Sequence, residues 1–347
     1  MEFSAEIERW YAQHKRTLPW REVTDPYLIW ISEIILQQTQ VAQGYDYYLR
    51  FIARFPRVEV LAAASQDEVM NAWQGLGYYS RARNLHAAAK SIVEQGGFPK
   101  TYEGVRALKG VGDYTAAAIC SFAYGLPYAA VDGNVYRVLS RYYGIDEPID
   151  TVKGKRLFAQ LAQEALDKKR PGLYNQALMD FGALQCTPGN PACDPCPLQC
   201  SCVAFAEKRV GALPVKSKRT VVSRRYFVYV FASDGEYTYI RRRPSGDIWE
   251  GLYEPLLFEF PATAPDDEVA ARIEEAYGSA IHSVECLKRN VKHVLTHRHI
   301  YADFYYVRLS APVEIEGYLR INLSDLGKYP VSSLVKSLFE EIFSSHP

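Results

Sequence analysis

The stretch LKGVGDYTAAAI, residues 108–119, decides the fold of the first half of this chain. An apolar segment leads into Gly110 and Gly112, and a second, alanine-rich apolar segment follows. Two glycines so close together allow a sharp turn, because glycine adopts left-handed conformations without steric cost. The pattern predicts a helix, a tight hairpin and a second helix over about residues 104–123. Two ordinary helices separated by a glycine cap would fit the same pattern.

The start of the second hairpin helix is a candidate anion site. The first N–H groups of a helix have no partner within the helix, and together with the helix dipole they favour a negative group. A DNA phosphate could bind there without any charged side chain. We therefore expect the backbone of Gly110, Val111 and Gly112 to contact DNA phosphate.

The pattern around this hairpin divides the chain into two domains. Residues 1–210 show repeated helical patterns separated by Gly or Pro, and Asp25 with Pro26 predicts the start of one helix. Further helices are predicted at 68–79, 80–95, 114–125, 133–144 and 154–169.

The remainder of the chain has a different character. Residues 211–222 are basic without a hydrophobic period, which predicts a linker. Residues 223–347 contain alternating apolar runs joined by Asp-Gly, typical of hairpins, and helical patterns at 266–278 and 332–343. We expect an all-α domain followed by an α+β domain.

Composition limits the class of protein. The chain has 347 residues and no net charge, but residues 1–220 carry 26 Lys and Arg against 22 Asp and Glu. A mildly basic first half permits nucleic-acid binding. The sequence has no apolar run long enough for a membrane span and no secretory signal pattern. We therefore expect a protein of the reducing cytosol, without structural disulfides.

Five of the seven cysteines lie within CTPGNPACDPCPLQCSC, residues 186–202. The spacing is Cys186-x6-Cys193-x2-Cys196-x5-Cys202, with Cys200 inside the last interval. Four thiolates suit a zinc ion or an iron–sulfur cluster. Zinc ribbons place two CxxC pairs on either side of a longer loop, so the compact loop favours one [4Fe–4S] cluster. Zinc, buried free thiols and Cys200 as an alternative ligand are compatible with the spacing. The two remaining cysteines are expected in the core.

Glu33 lies in an apolar segment of the predicted helix at 25–40. Its helical neighbours include Ile29, Trp30 and Leu36. A carboxyl group facing these side chains would lose its water, which raises its pKa and favours the protonated acid. The opposite orientation would place Glu33 on the polar stripe at the surface, and the pattern does not decide between the two.

Asp132 directly precedes the predicted helix at 133–144. This is the N-cap position, where backbone amides and the helix dipole keep a carboxylate ionised. Capping with no further role is the simpler interpretation. One acid with a raised pKa and one ionised carboxylate is, however, the arrangement of a glycosidase. Glu33 and Asp132 together therefore suggest cleavage of a glycosidic bond.

Six motifs together resemble the MutY-type adenine DNA glycosylases of the endonuclease III superfamily. They are SEIILQQTQV, WQGLGYYSRARNLH, LKGVGDYTAAAI, VDGNVYRVLSR, YNQALMDFGALQC and the cysteine loop. The resemblance extends from about Lys15 to Cys202 and implies base excision repair, with removal of adenine mispaired with 8-oxoguanine or guanine. It also implies a [4Fe–4S] cluster held by Cys186, Cys193, Cys196 and Cys202.

The resemblance also implies roles for individual residues. Glu33 would protonate N7 of adenine and Asp132 would stabilise the cationic sugar, and these carboxylates would be held by Tyr114 and Asn134. The adenine pocket would be lined by Arg16, Trp20, Arg21 and Gln176. The lesion or its strand would be contacted by Gln38, Thr39, Leu76 and Tyr78, with the Tyr78 ring wedged into the base stack.

The hairpin argues for a monofunctional enzyme. Lyases of the superfamily carry a Lys just after GVG, where this chain has Asp113 and Tyr114. We therefore expect a glycosylase without lyase activity.

The second domain, 223–347, resembles the Nudix hydrolase fold in the stretch at 241–256. In this family that domain recognises 8-oxoguanine. Thr296 and His297 match the lesion-sensing loop, in which Leu295 replaces the usual aromatic residue. The Nudix pattern REUxEExGU is not kept in ARIEEAYG, residues 271–278, so we expect no diphosphate hydrolysis.

We expect a monomer that binds duplex DNA containing 8-oxoguanine:adenine or guanine:adenine mispairs. Its expected location is cytoplasmic and nucleoid-associated, with no membrane attachment. Two rival functions are an endonuclease III-like enzyme with another base specificity and a non-catalytic iron–sulfur DNA-binding protein. The missing hairpin Lys argues against a lyase, and a buried acid would argue against a protein that only binds.

Overall fold

The computed structural model describes residues 2–217 and 222–345 and divides into two compact units. The first unit comprises residues 1–63 and 84–219, and the second comprises 64–83 and 220–347. The first unit is helical, and the second is built around a β-sheet, as the sequence predicted.

The helices are, in chain order, α1 (Glu2–His14), α2 (Pro26–Leu36), α3 (Val41–Arg54), α4 (Val58–Ala63), α5 (Gln66–Ala72), α6 (Ser80–Glu94), α7 (Tyr102–Arg106), α8 (Asp113–Tyr124), α9 (Gly133–Tyr143), α10 (Val152–Ala165), α11 (Pro171–Leu184), α12 (Val203–Ala206), α13 (Asp266–Tyr277) and α14 (Ser333–Ser345). The strands are β1 (Ser223–Ser233), β2 (Tyr237–Arg242), β3 (Tyr253–Glu254), β4 (Leu256–Phe260), β5 (Ile281–Leu295), β6 (Arg298–Leu309) and β7 (Leu319–Asn322).

Helix α2 begins as predicted and lies deep in the first unit, but it ends at Leu36 rather than at residue 40, because the chain turns at Gln38 with a φ of 60°. The Asp25 side chain caps it by accepting a hydrogen bond from the Tyr27 N–H at 2.8 Å, and Pro26 occupies the first turn. Every residue from Ile29 to Ile35 is buried, because α2 packs against both α3 and α8. A side chain between Ile29 and Ile35 therefore has little access to water, whether it is apolar or polar.

The predicted hairpin joins α7 to α8. Gly110 has a φ of 82°, and a Cβ atom at this position would lie 2.8 Å from Cβ of Asn84. Gly112 is the N-cap of α8 and carries no capping side chain. The N–H of Val111 donates to the Leu108 carbonyl at 3.1 Å. This amide closes the turn, which differs from the expectation that it would be free for phosphate.

The segment at 68–79 is not one helix, contrary to the sequence prediction. Helix α5 ends at Ala72, and the chain then turns through left-handed conformations at Gly75, Gly77 and Tyr78. Glycine makes such turns inexpensive, and two of the three positions are glycine. Residues 64–83 also group with the second unit rather than with the helical domain. Asp67 accepts hydrogen bonds there from Tyr253 and Arg242.

The first part of the predicted linker belongs to the helical unit. Leu213 is buried, the Ile149 N–H donates to the Val215 carbonyl, and the Ser217 N–H donates to the Asp150 carboxylate. The linker prediction was wrong for this stretch, because its basic composition does not show that its backbone and Leu213 pack against the helical unit. Residues 218–221 of the predicted linker lie outside the described residues.

The second unit has a mixed sheet with the strand order β3-β2-β1-β6-β5. Strand β4 also pairs with β1, and β7 with β2. Strands β1 and β6 run parallel, while β1–β2 and β5–β6 are antiparallel pairs. Helix α14 packs in one apolar cluster and α13 in another, as the helical patterns suggested. Cys286, expected in the core, is exposed on the edge strand β5.

No helix within residues 2–217 or 222–345 is long and apolar enough to cross a membrane.

Candidate active site

A cavity of about 200 Å³ lies in the first unit between α2, α8, α9 and α11. It brings together predicted residues from distant parts of the sequence. Its lining includes Arg16, Trp20, Arg21, Glu33, Thr39, Tyr114, Asp132, Asn134 and Gln176. Gln38 is exposed, with a φ of 60°, and is not part of this lining.

Glu33 is the buried acid of this cavity. Only 5% of the residue is exposed, which decides between the two orientations that the sequence allowed. Burial raises the pKa of Glu33 to about 7, and the negative charge of Asp132 acts in the same direction. A hydrogen bond from Tyr114 and the charge of Arg21 act against the rise. Near neutral pH this carboxyl group is therefore divided between acid and carboxylate.

Asp132 occupies the N-cap of α9, as predicted. Its Oδ1 accepts the N–H of Val135 at 2.8 Å, and its Oδ2 accepts Nδ2 of Asn134 at 2.7 Å. Burial nevertheless raises the pKa of Asp132, and the hydrogen bonds from Val135 and Asn134 oppose the rise. The sequence pattern shows the donors at this N-cap but not the burial of Asp132, which has the larger effect on its pKa.

Tyr114 and Asn134 hold the two carboxyl groups. The Tyr114 hydroxyl hydrogen-bonds Glu33, and burial with the nearby Glu33 charge raises the pKa of Tyr114 well above its ordinary value. Tyr114 thus stays protonated and remains a donor. Asn134 bonds Asp132 and also accepts Nη2 of Arg137 at 2.8 Å.

Two arginines of the cavity share a partner that sequence reasoning missed. Arg16 and Arg21 both donate to Asp180, whose side chain has no exposed surface. Gln176, one helical turn earlier on α11, accepts the Tyr11 hydroxyl at 3.2 Å. The spacing of Gln176 and Asp180 on one helix was a signal that could have suggested a polar face.

Trp20 is packed rather than free. It is buried, with its ring edge-on to Tyr48 at a centroid distance of 5.2 Å. It still lines the cavity, so the packing and pocket roles considered for this residue coexist.

The four predicted cluster ligands surround a small cavity of about 30 Å³. The lining includes Cys186, Cys193, Cys196 and Cys202, whereas Cys200 is exposed and lies outside it. Arg141, which the sequence analysis missed, is buried beside this loop. Its Nη1 donates to Sγ of Cys186 at 3.3 Å and to the Thr187 carbonyl at 2.7 Å.

The second unit has a cavity of its own, of about 480 Å³. Its lining contains the predicted lesion-recognition residues Leu76, Tyr78, Thr296 and His297. The hydroxyl groups of Tyr78 and Thr296 hydrogen-bond each other. Leu295 lines the same cavity and packs against the core of the unit.

Comparisons with known proteins agree with this division. Residues 31–164 match the HhH-GPD superfamily base excision DNA repair protein model, and residues 226–341 match the NUDIX domain model. Over 305 residues the chain is 34% identical to the adenine DNA glycosylase of Buchnera aphidicola subsp. Baizongia pistaciae, which covers 87% of this chain and 84% of that protein. The chain belongs to the adenine DNA glycosylase family. The helix-hairpin-helix and Nudix-like fold expected from the resemblance is thereby confirmed.

Two further relatives of this glycosylase differ in how much they share. The adenine DNA glycosylase of Mus musculus is 44% identical over 223 residues, covering 61% of this chain and 43% of that protein. The chain thus spans less than half the length of this mammalian relative. A solved structure of a thermostable thymine-DNA glycosylase superposes with a TM-score of 0.55 at 28% identity, covering 59% of this chain and 95% of that chain.

Proposed function

We propose that this member of the adenine DNA glycosylase family excises adenine mispaired with 8-oxoguanine or guanine in duplex DNA, as a monofunctional glycosylase. The observation that carries the proposal is Glu33, a buried acid with a pKa of about 7 in a cavity that can hold one base. A protein that only binds DNA has no use for a buried carboxyl group, whose ionised form is costly to desolvate.

The first chemical step is protonation of the base. Glu33 donates its proton to N7 of adenine, and the bond between C1′ and N9 breaks with its electron pair leaving on adenine. A positioned acid of matched pKa contributes about 10²- to 10⁴-fold to such a step. Tyr114 hydrogen-bonds the Glu33 carboxyl group and so limits its movement in the cavity.

The second step is capture of the sugar cation. The Asp132 carboxylate faces the positive charge that develops at C1′, and Asn134 and the Val135 N–H fix its orientation. Water then adds to C1′ and gives a proton to the Glu33 carboxylate, which restores the acid and leaves an abasic site. Because Asp113 and Tyr114 follow GVG in the hairpin, where lyases carry a Lys, the strand stays intact.

Adenine must leave the duplex before this chemistry can occur. Flipping a base costs a few kcal/mol of pairing and stacking, so the enzyme needs contacts to the DNA on both strands. The exposed backbone at Gly110 and Gly112 suits a phosphate contact, and the exposed ring of Tyr78 suits a wedge. Gln38 and Thr39, with Leu76, are proposed as further contacts to the lesion strand.

Recognition of 8-oxoguanine is assigned to the second unit. Thr296 and His297 form the turn between β5 and β6, and Thr296 and Tyr78 share a hydrogen bond. A hydroxyl group at this turn can hydrogen-bond the lesion, because 8-oxoguanine offers an N7–H and an O8 that guanine lacks.

The donor set of the cysteine loop fits a [4Fe–4S] cluster held by Cys186, Cys193, Cys196 and Cys202. The four cysteines line one small cavity, and Arg141 provides a positive charge beside Cys186. When bound, the group would hold the four cysteines of the loop together.

The test is cleavage of a duplex that contains one 8-oxoguanine:adenine pair under single-turnover conditions. The proposal expects breaks at adenine that appear only after hot alkali, and release of free adenine. Breaks without alkali would indicate a lyase, and release of a different base would overturn the substrate. The monomeric state and the cytoplasmic, nucleoid-associated location stay predictions from the sequence.

A further inference from the structure

The carboxylate of Asp180, on α11, pairs with two arginines of the active-site cavity and has no role in the reaction proposed above. Nε and Nη2 of Arg16 donate to its Oδ1 at 3.1 and 2.5 Å, and the Arg16 backbone N–H donates to its Oδ2 at 3.2 Å. Nη2 of Arg21 donates to the same Oδ1 at 2.7 Å. Both arginines line the active-site cavity, and Asp180 itself is not part of the lining.

The burial of these charged groups costs free energy. Burying a carboxylate and two guanidinium groups removes their hydration, and only close pairing restores the lost energy. The trio keeps one net positive charge, although the proposed base is neutral. Arg21 is held tightly, with 9% of its side chain exposed, and its Nε has no hydrogen-bond partner among the described residues.

Arg21 connects Asp180 to the acid, because it pairs with Asp180 and its charge acts on Glu33. Glu33 is faced by Arg21 from the loop before α2, by Tyr114 from α8 and by Asp132 from α9. Asp180 is surrounded by Arg16 and Arg21, with Tyr11 of α1 nearby. The positive charge of Arg21 works against protonation of Glu33, and Asp180 is the carboxylate directly bonded to that arginine.

We propose that Asp180 is a positioning residue for base excision, which holds the Arg16 and Arg21 side chains against the adenine pocket and offsets their charge beside the catalytic acid. This inference rests on the proposed function. The Asp180 carboxylate then has two separable effects, one through its geometry and one through its charge. Its geometry places the donors for the base, and its charge keeps the acid protonated.

Two variants separate these effects. Asp180→Asn keeps the shape but removes the charge, so we expect the alkaline limb of the single-turnover pH profile to move down by about one pH unit. We also expect the enzyme concentration for half-maximal rate to rise about 10- to 100-fold, the usual loss for a hydrogen bond to a charged group. Asp180→Glu keeps the charge but displaces the guanidinium groups, so it should weaken binding and leave the limb in place.

The matched control is Asp167→Asn, which removes an aspartate that pairs with Arg170 away from the cavity. It should leave both the profile and the concentration dependence at their original values. Circular dichroism and thermal unfolding, run on all variants, report whether each one folds.

The outcomes distinguish this inference from the function on which it rests. If the unmodified enzyme releases no adenine, the proposed function fails. If it does, and Asp180→Asn shows an unchanged pH limb and an unchanged half-maximal concentration, the role of Asp180 is overturned, even when the variant melts earlier. If Asp180→Asn does not fold, Asp180→Glu decides, and unaltered binding in that variant overturns the positioning role.

Discussion

Among single residues, Glu33 supplies an acid near neutral pH and lowers the stability of the fold when it is ionised. Its pKa rises from 4.5 to about 7 on burial, so the folded state binds more protons between these values. Proton binding by Glu33 therefore contributes to the free energy of unfolding. This contribution is complete below about pH 4.5 and is lost as pH rises through about 7. At about pH 8 the buried carboxylate costs about 3 kcal/mol.

The variant Glu33→Gln removes this cost. We expect it to unfold at higher urea concentration than the original enzyme at about pH 8, by up to about 3 kcal/mol, and to lose most of that advantage by about pH 5. Urea titrations at the two pH values measure the difference. Glu22→Gln is the control, because 84% of the Glu22 side chain is exposed. A Glu33→Gln protein that is less stable at both pH values would contradict the assignment.

The same pKa sets the pH dependence of the reaction. Only protonated Glu33 can donate, so the single-turnover rate constant should fall about tenfold per pH unit above about 7. Rapid-quench measurements from about pH 6 to 9 on a duplex with an 8-oxoguanine:adenine pair test this. A rate that stays constant across this range would exclude Glu33 as the acid.

At the scale of the element, the hairpin between α7 and α8 depends on Gly110. An alanine there would adopt a left-handed φ and bring its Cβ within 2.8 Å of Asn84. We expect Gly110→Ala to lower the free energy of unfolding by about 1–3 kcal/mol and to weaken binding to any duplex. In Gly112→Ala the new Cβ meets no atom within 4 Å, so this variant should unfold like the original protein. Equal unfolding curves for the two variants would contradict the account.

The cysteine loop gives a second prediction at this scale. Cys202→Ser removes one of the four thiols around the small cavity, and we expect purified protein to lose its absorbance near about 400 nm. Cys200→Ser, at an exposed thiol outside the cavity, is the matched variant and should keep the absorbance and the iron content. Loss of iron in both variants would mean that Cys200 is also a ligand.

The sequence predicted helix caps, turns and hairpins better than it predicted the burial and the partners of individual side chains. The cap at Asp25, the hairpin glycines and the β1–β2 hairpin all depend on local chemistry, and all appear in the structure. The orientation of Glu33 could not be decided, because α2 is covered by α3 and α8, which lie elsewhere in the chain. Asp180 was missed for the same reason, since its two arginines precede it by about 160 positions.

In the whole molecule, the helical unit contains Glu33, the proposed acid, and the second unit contains the residues proposed to recognise the lesion. The sequence predicted both units, but it assigned residues 64–83 to the first. Helical patterning cannot show which core a short helix will join, because its apolar face fits either one. This segment carries Leu76 and Tyr78, so its grouping with Thr296 matters for function.

Because the proposed recognition and the proposed chemistry lie in different units, a change in the second unit should alter the preference between mispairs without abolishing excision of adenine. Thr296→Val keeps the shape of the side chain but removes the hydroxyl group that bonds Tyr78. We expect the preference for 8-oxoguanine:adenine over guanine:adenine to fall about tenfold, with cleavage of guanine:adenine largely retained. Thr296→Ser should keep the preference. Single-turnover rates on both duplexes measure it, and equal preferences in all three proteins would remove Thr296 from recognition.

In the proposed reaction, Glu33 is the acid of an adenine glycosylase. The most direct test compares the original enzyme with Glu33→Gln on a duplex with one 8-oxoguanine:adenine pair, with adenine release and alkali-dependent breaks measured in one turnover. For the original enzyme we expect adenine release and breaks only after alkali, and for a folded, DNA-binding Glu33→Gln variant a loss of about 10²-fold or more. Undiminished cleavage by Glu33→Gln would contradict it.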